Sequence, residues 1–130
     1  MTLQHLDSGD CLNLKKDGLY ERFETSFVKR QLRPGQTFLD VGAHIGYYSA
    51  MAAQIVGPQG LVLAFEPDPT NVGLRRQNTA EFGDAVQVRE MAVADKAGRA
   101  TLYLSPENSG DNRLFKTAGW RDIEVDVTTI

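Results

Sequence analysis

The chain has 130 residues, 42% hydrophobic and 24% charged, with a formal net charge of −3, which describes one globular domain with enough length for a core. A mildly acidic balance with scattered Lys and Arg argues against nucleic acid as the main partner, because phosphate neutralisation needs clustered cations, and the pairs Lys15-Lys16 and Arg75-Arg76 read as solvated surface. The lone Cys11 excludes an internal disulfide, no run reaches the ~18 apolar residues of a membrane span, and no signal pattern opens the chain, so a cytoplasmic protein without membrane contact is expected.

Residues 1–10 read as a polar lead-in, and Cys11 to Lys15 alternates like a short strand. From Leu19 to Leu32 the pattern turns helical, with Phe23, Phe27, Val28, Gln31 and Leu32 on one face, until Arg33-Pro34-Gly35 stops it. Thr37 to Val41 reads as a buried strand, followed by a glycine turn and a helix from about Ile45 to Val56 with Ile45, Tyr48, Ala52 and Ile55 inward. Leu61 to Phe65 is a second apolar strand. Both strands are near-continuous apolar runs, which suits a parallel sheet covered on both faces. Asp68 can cap the next helix and Pro69 suits its first position, since no backbone donor is needed there. That helix runs to Gly83. Ala85 to Arg89 is a third strand of edge character. Ala100 to Leu104 and Asp122 to Thr129 have no helix between them and read as an appended antiparallel pair.

Strand, glycine turn, helix, strand and acid make the plan of a nucleoside-cofactor site. Gly42 and Gly46 bracket the turn as G-x-x-x-G, which meets neither the dinucleotide fingerprint nor the phosphate-cradling P-loop. The ligand expected is therefore a nucleoside without phosphates. Gly42 and Ala43 allow close backbone approach. Asp40 can accept from a cationic amine, and Glu66, at the end of the next strand, can accept from both ribose hydroxyls. Glu90, Met91 and Ala92 lie where an adenine would stack. Amine with carboxylate, ribose and adenine together describe S-adenosylmethionine.

D-V-G-A-H-I-G-Y-Y-S (Asp40 to Ser49), then A-F-E-P-D-P (Ala64 to Pro69) with Asn71 two residues on, and A-V-A-D-K-A-G (Ala92 to Gly98) closely resemble the FkbM-type methyltransferases, a branch of the class I S-adenosylmethionine-dependent fold. The later E-N-S-G-D-N-R-L-F and V-D-V-T-T-I are similar to that family's middle section, so the resemblance runs from about Leu19 to Ile130. It implies an α/β fold: a Rossmann-like three-layer parallel sheet, here with the antiparallel pair appended. It implies a methyl donor held by Asp40, Gly42, Gly46 and Glu66, and O-methylation of sugars, polyketides or related small metabolites. Ala43, His44, Tyr47, Ser49, Pro67, Asp68, Asn71, Glu90, Met91 and Ala92 complete the expected cofactor set. No residue is assigned as catalytic.

Two departures stand out. His44 replaces the family's common Asn in the turn, a tolerated change if the turn works through its backbone; a general-base role is the sharper alternative. The family also continues past T-T-I into an L-D motif, a helix, a strand reading K-I-D-x-E-G and further strands. This sequence therefore reads as a single cofactor-binding domain, 1–130, lacking those C-terminal strands. The first strand would then have an open apolar edge, an association hazard that predicts a homo-oligomer. A non-catalytic cofactor-binding module needing a partner is the competing reading. Asn108 to Arg113 reads as an ordinary loop, with folding over the site as the alternative, Trp120 reads as packing, and the separated His5 and His44 make no metal site.

Overall fold

A computed structural model of the chain describes residues 21–130. The strand expected at Cys11–Lys15 and the helix start expected at Leu19 lie outside the described residues. Helix α1 spans Arg22–Gln31. Its inward residue is Thr25, 1% exposed, whereas Phe23 and Phe27 are 74% and 52% exposed. The apolar face read from the sequence is thus only partly the packed one: Val28 and Leu32 are half-buried, the two phenylalanines are not. Polar docking sets this rotation. The Thr25 hydroxyl donates to the Tyr47 hydroxyl at 3.4 Å, and the Tyr48 hydroxyl donates to the Glu21 carboxylate at 2.8 Å.

Strands β1 (Thr37–Val41), β2 (Leu61–Phe65) and β3 (Val86–Arg89) form a parallel sheet in the order β1-β2-β3. Helix α2 (Tyr47–Val56) connects β1 to β2. Helix α3 (Pro69–Asn78) follows β2, with the Asp68 carboxylate accepting from the Thr70 N–H at 2.9 Å as its cap. It ends earlier than Gly83, giving way to a 3-10 segment, Ala80–Ala85, in which Gly83 takes φ +52°. The buried residues of α2 are Ser49, Met51, Ala52, Ala53 and Val56; of the face expected, Ala52 and Ile45 just before the helix are buried, while Tyr48 and Ile55 are half-buried. Ala52, Ala53 and Val56 pack with Val62 and Val86, and Phe38 and Val88 close the cluster. Each fully buried Val contributes about 1.5–3 kcal/mol relative to leaving it in water.

Period-2 alternation puts Leu39 and Val41 on the opposite face, where they are 44% and 53% exposed. Among the described residues, then, the sheet is well covered on one face only, and β1 is an edge strand with no partner on its far side. No described helix is long and apolar enough to cross a membrane.

A second, separate sheet holds β4 (Ala92–Val93), β5 (Gly98–Leu104) and β6 (Arg121–Thr128) in the order β4-β6-β5. β5 and β6 form the expected antiparallel pair, while β4 joins β6 in parallel. Two residues are too short for a periodic signal, and β4 has none in the sequence. This sheet has its own core of Ala92, Leu102, Val125 and Val127.

Candidate cofactor site

The carboxyl ends of β1 and β2 meet at the glycine turn. The Gly42 and Ala43 N–H groups both donate to the Phe65 carbonyl at 3.0 Å, tying the turn to the end of β2. Gly46 takes φ +92° and returns its N–H to the Ala43 carbonyl at 2.8 Å. His44, at φ +49°, is held in a conformation few side-chain-bearing residues adopt. Its N–H donates to Glu66 Oε2 at 2.8 Å, and its ring Nε2 lies 2.7 Å from the Ser109 hydroxyl.

The turn separates two cavities. One, about 180 Å³, is lined by Gly42, His44, Glu66, Pro67, Met91 and Ala92, with Leu102 and Asn112 opposite. The other, about 280 Å³, is lined by Asp40, Gly42, Ala43, His44, Tyr47 and Tyr48. Val41 and Gly110 reach both. Nine of the expected residues therefore face one of these two cavities: Asp40, Gly42, Ala43, His44, Tyr47, Glu66, Pro67, Met91 and Ala92. The rest stand behind or outside. Ser49 is fully buried and gives its hydroxyl to Asp40 Oδ2. Asn71 donates to Glu66 Oε1 at 3.4 Å, and Asp68 caps α3 while its N–H reaches the same oxygen at 3.0 Å. Gly46 lies under the turn, and Glu90 is exposed.

A profile of the FkbM methyltransferase domain matches residues 40–130. The chain belongs to that family. The 31-O-demethyl-FK506 methyltransferase FkbM of Streptomyces tacrolimicus is 30% identical over 130 residues, covering 91% of this chain and 48% of that protein. The ribosomal RNA large subunit methyltransferase E of Sorangium cellulosum is 41% identical over 83 residues, 62% of this chain and 39% of its own. The chain spans about half the length, or less, of the curated relatives it matches. A solved structure described as an rRNA-methylase from Clostridium thermocellum shares the fold at TM-score 0.52 and 19% identity, over 55% of this chain and 39% of that one.

The cofactor of this FkbM domain is S-adenosylmethionine, and the residues present fit it. Glu66 is 5% exposed and accepts from three donors, two on Oε1 and one on Oε2, which leaves one lone-pair site on Oε2 for a ribose hydroxyl, and the 3.4 Å bond from Asn71 is the weakest of the three to exchange for a second. Met91, Ala92 and Leu102 give the same cavity an apolar wall for a base. Asp40 supplies the other cavity with its acid. Burial pushes the Asp40 carboxyl above the ordinary range, opposed by the Ser49 hydrogen bond and the Arg75 cation.

One feature escaped the sequence reading, and a second was read there only as the alternative. Arg75, read as solvated surface, is completely buried: its Nη2 donates to the His44 carbonyl at 2.9 Å and lies 3.8 Å from Glu66 Oε2. The signal was its helical spacing, because Asn71, Val72, Arg75 and Thr79 share the inward face of α3. The second feature is the loop between β5 and β6. It crosses the turn at Ser109 and Gly110 and is anchored by Asn112 Nδ2, which donates to Asp68 Oδ2 at 3.0 Å. Trp120 packs against this loop, its ring 4.5 Å below the Arg113 guanidinium.

Proposed function

We propose that the protein transfers the methyl group of S-adenosylmethionine to an oxygen of a small metabolite or sugar. The observation that carries this reading is the pair of acids, Glu66 and Asp40, facing separate cavities on either side of one glycine turn. Glu66 orients the ribose, and the apolar wall at Met91 and Ala92 receives the adenine. Asp40 accepts from the amine. Tyr47 and Tyr48 border the same cavity, Gly110 of the β5–β6 loop lines it too, and Ser109 holds that loop to the His44 ring. When bound, the cofactor supplies an activated methyl on a sulfonium, so the protein's task is chiefly alignment of the acceptor. A small acceptor is favoured by the acidic net charge and by the Streptomyces relative, which matches most of the chain.

A second reading has its own support. The exposed Leu39 and Val41, beside the free edge of β1, leave the acceptor side of the turn open among the described residues. On this reading the chain is a cofactor-binding module whose acceptor pocket a second copy or a partner completes. Conversion of S-adenosylmethionine to S-adenosylhomocysteine, followed with hydroxylated metabolite pools and with ribosomal RNA as separate acceptors, separates these readings. Turnover with the metabolite pool supports the first. Cofactor binding without turnover supports the second, turnover with RNA alone overturns the small-acceptor assignment, and absence of cofactor binding overturns both readings.

A further inference from the structure

Helix α3 holds the glycine turn from beneath with two side chains. Arg75 Nη2 donates to the His44 carbonyl at 2.9 Å, and Asn78 Nδ2 donates to the Ile45 carbonyl, also at 2.9 Å. Arg75, His44 and Glu66 close a ring of contacts: arginine to the His44 carbonyl, the His44 N–H to Glu66 Oε2 at 2.8 Å, and Glu66 Oε2 back to the arginine at 3.8 Å. Gly46 makes the ring possible. A Cβ there would sit 2.5 Å from Arg75 Cγ.

The arrangement is poor as a stability device. Arg75 is 0% exposed, yet among the described residues its Nε and Nη1 have no hydrogen-bond partner, and its carboxylate is too distant for a forked pair. A buried cation so incompletely satisfied is readily outdone by an apolar side chain of similar length. What it does accomplish is geometric. It fixes the peptide of a residue at positive φ and ties that peptide to the carboxylate one cavity away.

We propose that Arg75 is a positioning residue for the cofactor, coupling Glu66 on the ribose side to the turn backbone on the methionine side so that both halves of the cleft are preformed together. This rests on the cofactor reading above. The test is calorimetric titration of S-adenosylhomocysteine into the wild-type chain, Arg75→Met, Arg75→Lys, Glu66→Gln and the Arg75→Met/Glu66→Gln double variant, with thermal midpoints measured alongside. Arg75→Met is expected to weaken binding roughly tenfold to a hundredfold, the range for a lost hydrogen bond to a charged group, without a matching fall in midpoint. The double variant is expected to bind no worse than the weaker single one, because both act through one ring. Lys keeps the charge but not the length and planar shape that bring Nη2 to the His44 carbonyl, and should recover only part of the loss. Wild-type affinity in Arg75→Met, or full additivity in the double variant, overturns the proposal and leaves the cofactor reading standing. Should Arg75→Met fail to fold, Arg75→Lys decides: wild-type affinity there overturns the proposal, and partial loss supports it. A wild-type chain that does not bind overturns the cofactor reading itself.

Discussion

Asp40 and Glu66 are both buried acids, but their surroundings differ. Glu66 is met by the His44 and Asp68 N–H groups and by Asn71. Glu66→Ala would strand those donors and leave Arg75 without its carboxylate, so a loss of about 3 kcal/mol is expected in urea unfolding, with Glu66→Gln closer to wild type. Among the described residues Asp40 has one side-chain hydrogen-bond partner, Ser49, and burial raises its carboxyl above the ordinary range. The fold therefore tolerates the neutral acid better than the ion. Asp40 contributes its stability fully below its unfolded pKa and loses it as pH rises through the raised folded value. Asp40→Asn should accordingly raise the thermal midpoint at about pH 7 and change it little at about pH 3, while weakening S-adenosylhomocysteine. A midpoint shift equal at both pH values would contradict the assignment.

At the level of elements, the turn depends on what lies under it. Gly46→Ala meets two obstacles at once, φ +92° and the Arg75 side chain. A destabilisation of about 2–3 kcal/mol is expected by thermal unfolding, and Arg75→Ala in the same chain should recover part of it by making room. The loop over the turn has two anchors, Ser109 to His44 and Asn112 to Asp68. Asn112→Ala should hasten proteolysis between β5 and β6 while costing about 1 kcal/mol or less. The sequence carried β1 and β2 to the residue, because continuous apolar runs between breakers admit few other boundaries. The start of α3 was equally legible, since Asp68 and Pro69 act locally. The rotation of α1 was not: it is set by Thr25 and Glu21 meeting Tyr47 and Tyr48 across the fold, and hydrophobic spacing alone favours Phe23 and Phe27. Arg75 escaped for a related reason, because the adjacent Arg76 makes the pair look like a solvated face and only the burial of α3 separates them.

For the whole molecule, we propose association from two features of the described residues, the exposed Leu39 and Val41 and a β1 edge without a partner among them. A two-fold pairing across that edge predicts a dimer by size-exclusion chromatography with light scattering at micromolar concentration. Leu39→Glu should shift it toward monomer, and a wild-type monomer under those conditions would count against the pairing.

Among the described residues, the two sheets hold separate cores, one built from sequence up to Arg89 and the other from Ala92 onward, and no strand pairs across the seam. The ribose-side cavity lies on that seam, walled by Glu66 and Pro67 from one half and by Ala92, Leu102 and Asn112 from the other. A ligand there would touch both halves, each with a hydrophobic cluster of its own. Binding would then add to the coupling that the His44–Ser109 and Asp68–Asn112 bonds already give. Without cofactor, amides of Val125 and Val127 should exchange with solvent at a free energy different from those of Val62 and Ala64. With S-adenosylhomocysteine bound, the two sets should converge on one global opening.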